Sequence, residues 1–188
     1  VFSRRGYVQA TLDEIIALAD TGKGTVYNYF GNKDNLFYTL VAGKINPFLE
    51  RLWAVVESQK TTPEKIRDYM LELLPFLQDN KYLYRILLYE VSGNQRGFHP
   101  IILNDGSWEM SSLYGDTLPE AEYQRLCRYR DLIKEQVQCL IAIIKEAMES
   151  GFMKLGQPTI TAHHLFGGVT MSVLHYVGQP DFTDEELA

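Results

Sequence analysis

Two cysteines in 188 residues, Cys127 and Cys139, cannot make a disulfide framework. No CxxC pair and no Cys/His spacing surrounds them, so neither a structural disulfide nor a zinc site is expected, and a reducing cytoplasmic setting suits them. No run of about 18 apolar residues occurs, so no membrane-spanning helix is expected, and no secretory apolar segment opens the chain. The sequence also lacks GxSxG, GxGxxG, Walker and ExxH patterns, which argues against a nucleophile elbow, a dinucleotide or phosphate loop and a carboxylate di-metal centre. His163, His164 and His175 come nearest to a metal or catalytic cluster. Adjacent histidines point apart on a helix, and positions 163 and 175 are about 120° out of register. No enzyme activity, cofactor or metal is therefore expected.

What is present describes a folded chain. Hydrophobic residues make up 46% and charged residues 22%, ordinary for a globular protein of one compact body or two small lobes. The net charge of −6 is unevenly placed. Positions 1–45 carry Arg4, Arg5, Lys23, Lys33 and Lys44 against Asp13, Glu14, Asp20 and Asp34, a net of +1, so the remainder carries −7. Local charge, more than the total, governs contact with phosphate. Val1 falls inside what reads as the end of a helix, so a longer natural N-terminus is expected.

The informative stretch is FSRRGYVQATLDEIIALADTGKGTVYNYFGNKDNLF, Phe2 to Phe37. Thr11-Leu12-Asp13-Glu14 has the form of a capping box, and Leu12, Ile15, Ile16 and Ala19 then fall on one side of a helix. Ala19-Asp20-Thr21-Gly22 reads as a turn. Gly22 to Phe30 would make a poor helix by propensity alone, with two glycines and several β-branched or aromatic residues. A helix that enters a major groove accounts for it. Small residues let the backbone and helix N-terminus approach phosphates, and long or hydroxyl side chains reach outward. Val26 and Phe30, at i and i+4, are the expected anchors.

In order, spacing and residue type this segment closely resembles the N-terminal module of the TetR family of bacterial transcriptional regulators. The resemblance implies an all-α chain: a helix-turn-helix DNA-binding head over 1–46, its first helix truncated, and a helical effector-binding and dimerisation body over 47–188. It implies base-edge contacts from Lys23, Thr25 and Asn28, with Gly22 and Gly24 allowing close approach. Tyr27 would lie beside the backbone or a thymine methyl. Tyr29, Lys33 and the Thr11 hydroxyl would meet phosphates. Family sequences usually carry glycine where Asp20 stands, because the chain there wants a positive φ, which aspartate tolerates.

Beyond the head, apolar periodicity predicts a helix from Asn32 to Ser58, with Leu36, Leu40, Val41, Ile45, Phe48, Leu52 and Val56 repeating every three or four residues. The next helix should open with Thr62 as N-cap and Pro63 at N1, and should kink or end at Pro75. Another spans Tyr82 to Val91. Residues 92–118 read as loop, with one short helix around Trp108 to Leu113, and serve either as a pocket wall or as a surface connection. A helix over 119–150 carries a stripe of Leu126, Ile133, Val137, Leu140, Ile144 and Met148, closed by Gly151. The last helix, Thr161 to Val177, holds Gly167-Gly168 at its centre, where close packing against another helix would offset their poor propensity.

Candidate effector-pocket residues are Phe76, Tyr89, Trp108, Met110, Tyr114, Tyr123, His163, Phe166 and Met171, an aromatic and methionine-rich set suited to planar or apolar ligands. By resemblance the last two long helices form a homodimer interface. The expected partners are thus a double-stranded DNA operator, a small-molecule effector and a second copy of the chain, with no membrane. The expected function is a cytoplasmic, ligand-responsive regulator, most simply a repressor that the effector releases from a palindromic operator. The alternative is a helical ligand-binding or protein-interaction dimer with a degenerate DNA-binding head.

Overall fold

A computed structural model describes residues 1–91, 98–102, 108–112 and 119–176. Among these, eight helices and one hairpin follow in the order α1 (Phe2–Gln9), α2 (Leu12–Leu18), α3 (Lys23–Phe30), α4 (Lys33–Glu57), α5 (Thr62–Asp79), α6 (Lys81–Val91), β1 (Phe98–Ile102), β2 (Trp108–Ser112), α7 (Glu120–Glu149) and α8 (Pro158–Tyr176). The architecture is all-α as expected, with one short antiparallel pair between α6 and α7 in sequence. Of the short helix expected at Trp108–Leu113, Trp108–Ser112 is instead strand β2, with Trp108 opposite Ile102 and Ser112 opposite Phe98, and Leu113 lies outside the described residues. No described helix is long and apolar enough to cross a membrane.

The chain divides into two compact units, Val1–Ile45 with Tyr82–Leu132, and Asn46–Lys81 with Ile133–Ala188. The first has an aromatic core. Phe37 is wholly buried, with the rings of Phe2, Tyr7 and Tyr129 at 4.9, 5.1 and 5.5 Å from it. Into this core the chain places a buried ion pair, Arg125 to Glu90 at 2.8 Å, and the Arg125 guanidinium also lies 4.9 Å from the centre of the Tyr7 ring. Burial by itself would lower the Arg125 pKa; the hydrogen bond and charge of Glu90 outweigh it and hold the guanidinium protonated. Burial likewise raises the Tyr129 phenol.

The second unit is a helical core. Phe48 of α4 stacks on Phe76 of α5 at 3.9 Å, and the Tyr69 hydroxyl donates to the Gln136 carbonyl at 3.0 Å. Lys65, largely buried, bonds the Val56 carbonyl at 2.9 Å and Glu146 at 2.8 Å, so one ammonium ties α4, α5 and α7. Cys139 is buried and its thiol is pushed up to about 12 by burial, which keeps it protonated and fits a structural role.

Several local expectations change. The α4 stripe runs through Phe37, Val41, Ile45, Phe48 and Leu52, whereas Leu40 is 45% exposed: the periodic reading included a residue one position off the buried face. The cap of α5 is Thr61, with a capping box to Glu64; Thr62 is the first helical residue and Pro63 follows it. Of the two outcomes expected at Pro75, an end is not found, since the helix continues to Asp79, and Pro47 is likewise carried inside α4. A proline in a helix interior removes one backbone bond and crowds the preceding turn. The packing of Phe76, Leu77, Phe48 and Leu52 supplies enough burial to carry the helices through these points. The α7 stripe from Leu126 to Met148 is buried throughout, and Gly151 follows it at φ 76°. A Cβ at Gly167 or Gly168 would meet nothing within 4 Å, so these glycines serve no close contact inside the described chain.

Candidate nucleic-acid interface

The head is built on a five-residue core. Leu12 and Ile16 of α2 and Val26 of α3 are buried, with Phe30 and Leu36 packed against them. Val26 and Phe30 thus anchor α3, as their spacing implies. The Thr11 hydroxyl accepts from the Glu14 amide at 3.2 Å and caps α2. The reciprocal half of the expected box is replaced: Glu14 accepts from Arg5 Nε at 2.7 Å, which ties α2 to α1.

The turn between α2 and α3 depends on Asp20, at φ 47°. This left-handed conformation closes the turn within four residues, and the Thr21 amide reaches back to the Ile16 carbonyl at 3.4 Å. A larger side chain without a short polar group would be strained there.

With Val26 and Phe30 turned inward, the other side chains of α3 face solvent. Lys23, Gly24, Thr25 and Asn28 are exposed; Tyr27 is 40% and Tyr29 78% exposed. The two tyrosines are therefore not members of the head core, and only Phe30 takes that part. Gly22 caps α3 without a side-chain hydrogen bond, which leaves the first amides of α3 free of a side-chain cap. A Cβ at Gly22 would lie 3.3 Å from the Thr25 hydroxyl, so the glycine preserves the position of Thr25; a Cβ at Gly24 would meet nothing. Gly31, at φ 73°, ends α3, and Asn32 starts α4 by accepting from the Asn35 amide at 2.8 Å.

Two basic residues are already engaged. Lys23 pairs with Asp13 at 2.8 Å, and its pKa is raised by the hydrogen bond to that carboxylate and by its charge. The pair is exposed, so it is weak and open to competition from phosphate. Lys33 is a sharper departure from expectation. Its ammonium donates to the Tyr7 carbonyl at 2.9 Å and the Val8 carbonyl at 3.1 Å, and it lies 4.6 Å from the centre of the Tyr7 ring. It clamps α1 onto the start of α4, and at most one of its three protons is left for a phosphate. Burial lowers its pKa, partly offset by the charge of Glu90.

Residues 1–39 match the family described as bacterial regulatory proteins, tetR family. Over these residues the head resembles the tetR family. A fatty acid metabolism regulator protein of Bacillus subtilis is 32% identical over 66 residues, 35% of this chain and 34% of the relative, so the chain spans about a third of that relative's length. Among solved structures, the transcriptional regulator FadR from Bacillus subtilis in complex with stearoyl-CoA is 20% identical, with a TM-score of 0.68 over 94% of this chain and 81% of that one. AibR in complex with isovaleryl coenzyme A and operator DNA is 18% identical, with a TM-score of 0.66 over 99% and 86%. At these identities the likeness of the structures is one of fold.

Outside the head, the nine candidate pocket residues are divided between the two compact units. Phe76 and Phe166 are buried in the second unit and Met171 is 62% exposed on α8. His163 donates from Nδ1 to the Thr159 carbonyl at 2.7 Å, a bond within its own helix. In the first unit, Tyr123 is half-buried, and the neighbouring Cys127 thiol raises its phenol pKa. Trp108 and Met110 lie on β2, and Tyr114 lies outside the described residues. Among those of the nine whose side chains are described, Tyr89 lines the cavity of about 510 Å³ that opens between α1 and α6. Sequence reasoning missed the buried Glu90–Arg125 pair beside that cavity and the Asp13 partner of Lys23. The spacing of Tyr82, Arg85 and Tyr89 on one helix face was the available signal for the cavity.

Proposed function

We propose that this chain is a ligand-responsive DNA-binding regulator, a repressor that reads a palindromic operator as a homodimer and is released by a coenzyme A thioester. The observation that carries the reading is α3: one residue, Val26, is sunk in the head core, and Lys23, Thr25, Tyr27, Asn28 and Tyr29 face outward around a helix start with no side-chain cap. Lys23, Thr25 and Asn28 would meet base edges, and Tyr27, Tyr29 and the Thr11 hydroxyl the backbone, with Gly22 and Gly24 at the closest approach. Lys33 would contribute to phosphate chiefly by holding α1 in place.

Dimerisation is supported by α8. Ile160, Leu165 and Met171 are exposed on a helix with no Lys, Arg, Asp or Glu, and Gly168 sits among them with open space above it. A second copy of the chain would cover this face and give the central glycine the close packing that it lacks within one chain. Two heads would then meet half-sites about 34–36 Å apart or a multiple of that. The effector class is suggested by the relatives, of which one is a fatty acid metabolism regulator and two were solved with coenzyme A thioesters. To move the DNA-competent population from 99:1 to 1:99 the ligand must favour the incompetent form by about 10⁴.

The test is fluorescence anisotropy against a random duplex pool across salt, followed by addition of long- and short-chain acyl-CoA. Salt-sensitive binding that converges on an inverted repeat and is reversed by one chain-length class supports the reading. Failure to bind any duplex at low salt favours the degenerate head, for which the Asp13–Lys23 pair and the Asp20 carboxylate are the structural arguments.

A further inference from the structure

The cavity between α1 and α6 is within the size range of small-molecule sites, at about 510 Å³. Its α6 wall is formed by Tyr82, Arg85 and Tyr89, at i, i+3 and i+7, so the three share one helix face. Both tyrosines are more than half exposed. Phe2, Arg5 and Tyr7 line the α1 side.

The charges on these walls are not equivalent. Arg5 is held by Glu14 at 2.7 Å, and the Glu90 carboxylate is neutralised by Arg125 at 2.8 Å. Arg85 makes no ion pair among the described residues. Its guanidinium is a fork of donors matched to phosphate, and Arg85 stands on the helix between Tyr82 and Tyr89, whose backbone positions are about 10 Å apart along the axis. Aromatic faces accept a planar base with little regard to its identity. Tyr7, on the same wall, has a buried hydroxyl with no hydrogen-bond partner among the described residues.

We propose that this cleft binds the adenine-nucleotide end of a coenzyme A thioester, with the base against Tyr89 or Tyr82 and a phosphate on Arg85. The proposal rests on the effector class given under the proposed function and assigns that class a place. It also gives the ligand a direct hold on the head. The same walls include the Gly6–Tyr7–Val8 backbone, where α1 breaks its helical course at Gly6 (φ 71°, ψ 179°) and where Lys33 is clamped. An occupant that touches α6 and this backbone together biases the position of α1, and through Lys33 the start of α4.

The experiment is isothermal titration calorimetry on the full chain with coenzyme A, adenosine 3′,5′-bisphosphate and pantetheine. It is run on the native protein, Arg85→Ala and Tyr89→Ala, each checked by a thermal melt. Both substituted residues are exposed, so the melts are expected to coincide. Coenzyme A and the bisphosphate should bind the native protein and bind Arg85→Ala at least tenfold more weakly, with a smaller loss in Tyr89→Ala. Pantetheine, which lacks the nucleotide, should show no dependence on Arg85. Equal affinity for coenzyme A in all three proteins overturns the placement. If acyl-CoA still releases DNA from Arg85→Ala as from the native protein, the effector class stands and the cleft alone fails. If no acyl-CoA releases DNA while bisphosphate binding depends on Arg85, the effector class fails and the cleft stands as a site for a free nucleotide.

Discussion

Replacement of Lys33 by methionine separates two roles that one lysine could play at this position. The stem of the side chain is kept and the ammonium is lost, together with its bonds to the Tyr7 and Val8 carbonyls and its place over the Tyr7 ring. Hydrogen bonds to a charged group contribute about 1.5–3 kcal/mol, and a cation over an aromatic face adds about 0.5–1 kcal/mol at an exposed site. Two effects reduce the sum. Burial penalises the ammonium, as its lowered pKa records, and water reaches carbonyls at a helix end once the lysine is gone. A net loss of about 1.5 kcal/mol is expected, or a fall in Tm of about 3–6 °C for a chain of this length. A far-UV circular dichroism melt reads that term. DNA binding measured across salt reads the other. A clamp that holds α1 should weaken binding on every duplex and leave the slope of log affinity against log salt unchanged. A direct phosphate ligand should reduce that slope by about 1. A lower slope with an unaltered melt would refute the clamp and restore Lys33 to the DNA surface.

Three further outcomes follow from the head and the two cores. Asp13→Asn frees the Lys23 ammonium, so DNA affinity should rise; unchanged or weaker binding would mean that Asp13 presents Lys23 to DNA and does not compete for it. Asp20→Val should destabilise the chain by about 1–2 kcal/mol in a denaturant titration while Asp20→Gly does not, because only the valine is strained at φ 47°; equal midpoints would remove the turn argument. Cys139 should resist alkylation in the native protein at mildly alkaline pH while half-buried Cys127 reacts. Since its thiol is raised above the unfolded value of 9.0, its contribution to stability is present below that pH and is lost as pH rises towards 12. Equal reaction rates at the two cysteines would show that Cys139 is not buried in solution.

The sequence by itself determined the head. Its cap at Thr11, the turn at Asp20, the inward Val26 and Phe30 and the outward face of α3 follow from residues at most four positions apart, where local geometry leaves few choices. The long buried stripe of α7 was legible for the same reason, since a 3.6-residue period repeated over 30 residues admits one buried face. The tertiary structure decided what depends on partners distant in the chain. Lys33 belongs to Tyr7 and Val8, more than 20 residues away, and Arg125 to Glu90, 35 residues away. Neither pairing has a sequence period, because a buried charge is satisfied by whichever helix packs beside it. Pro75 shows the same division from the other side: the local rule predicts a kink or an end, and the burial of Phe76 and Leu77 holds the helix to Asp79. The cleft between α1 and α6 exists only once those two helices, some 75 residues apart in sequence, are placed face to face.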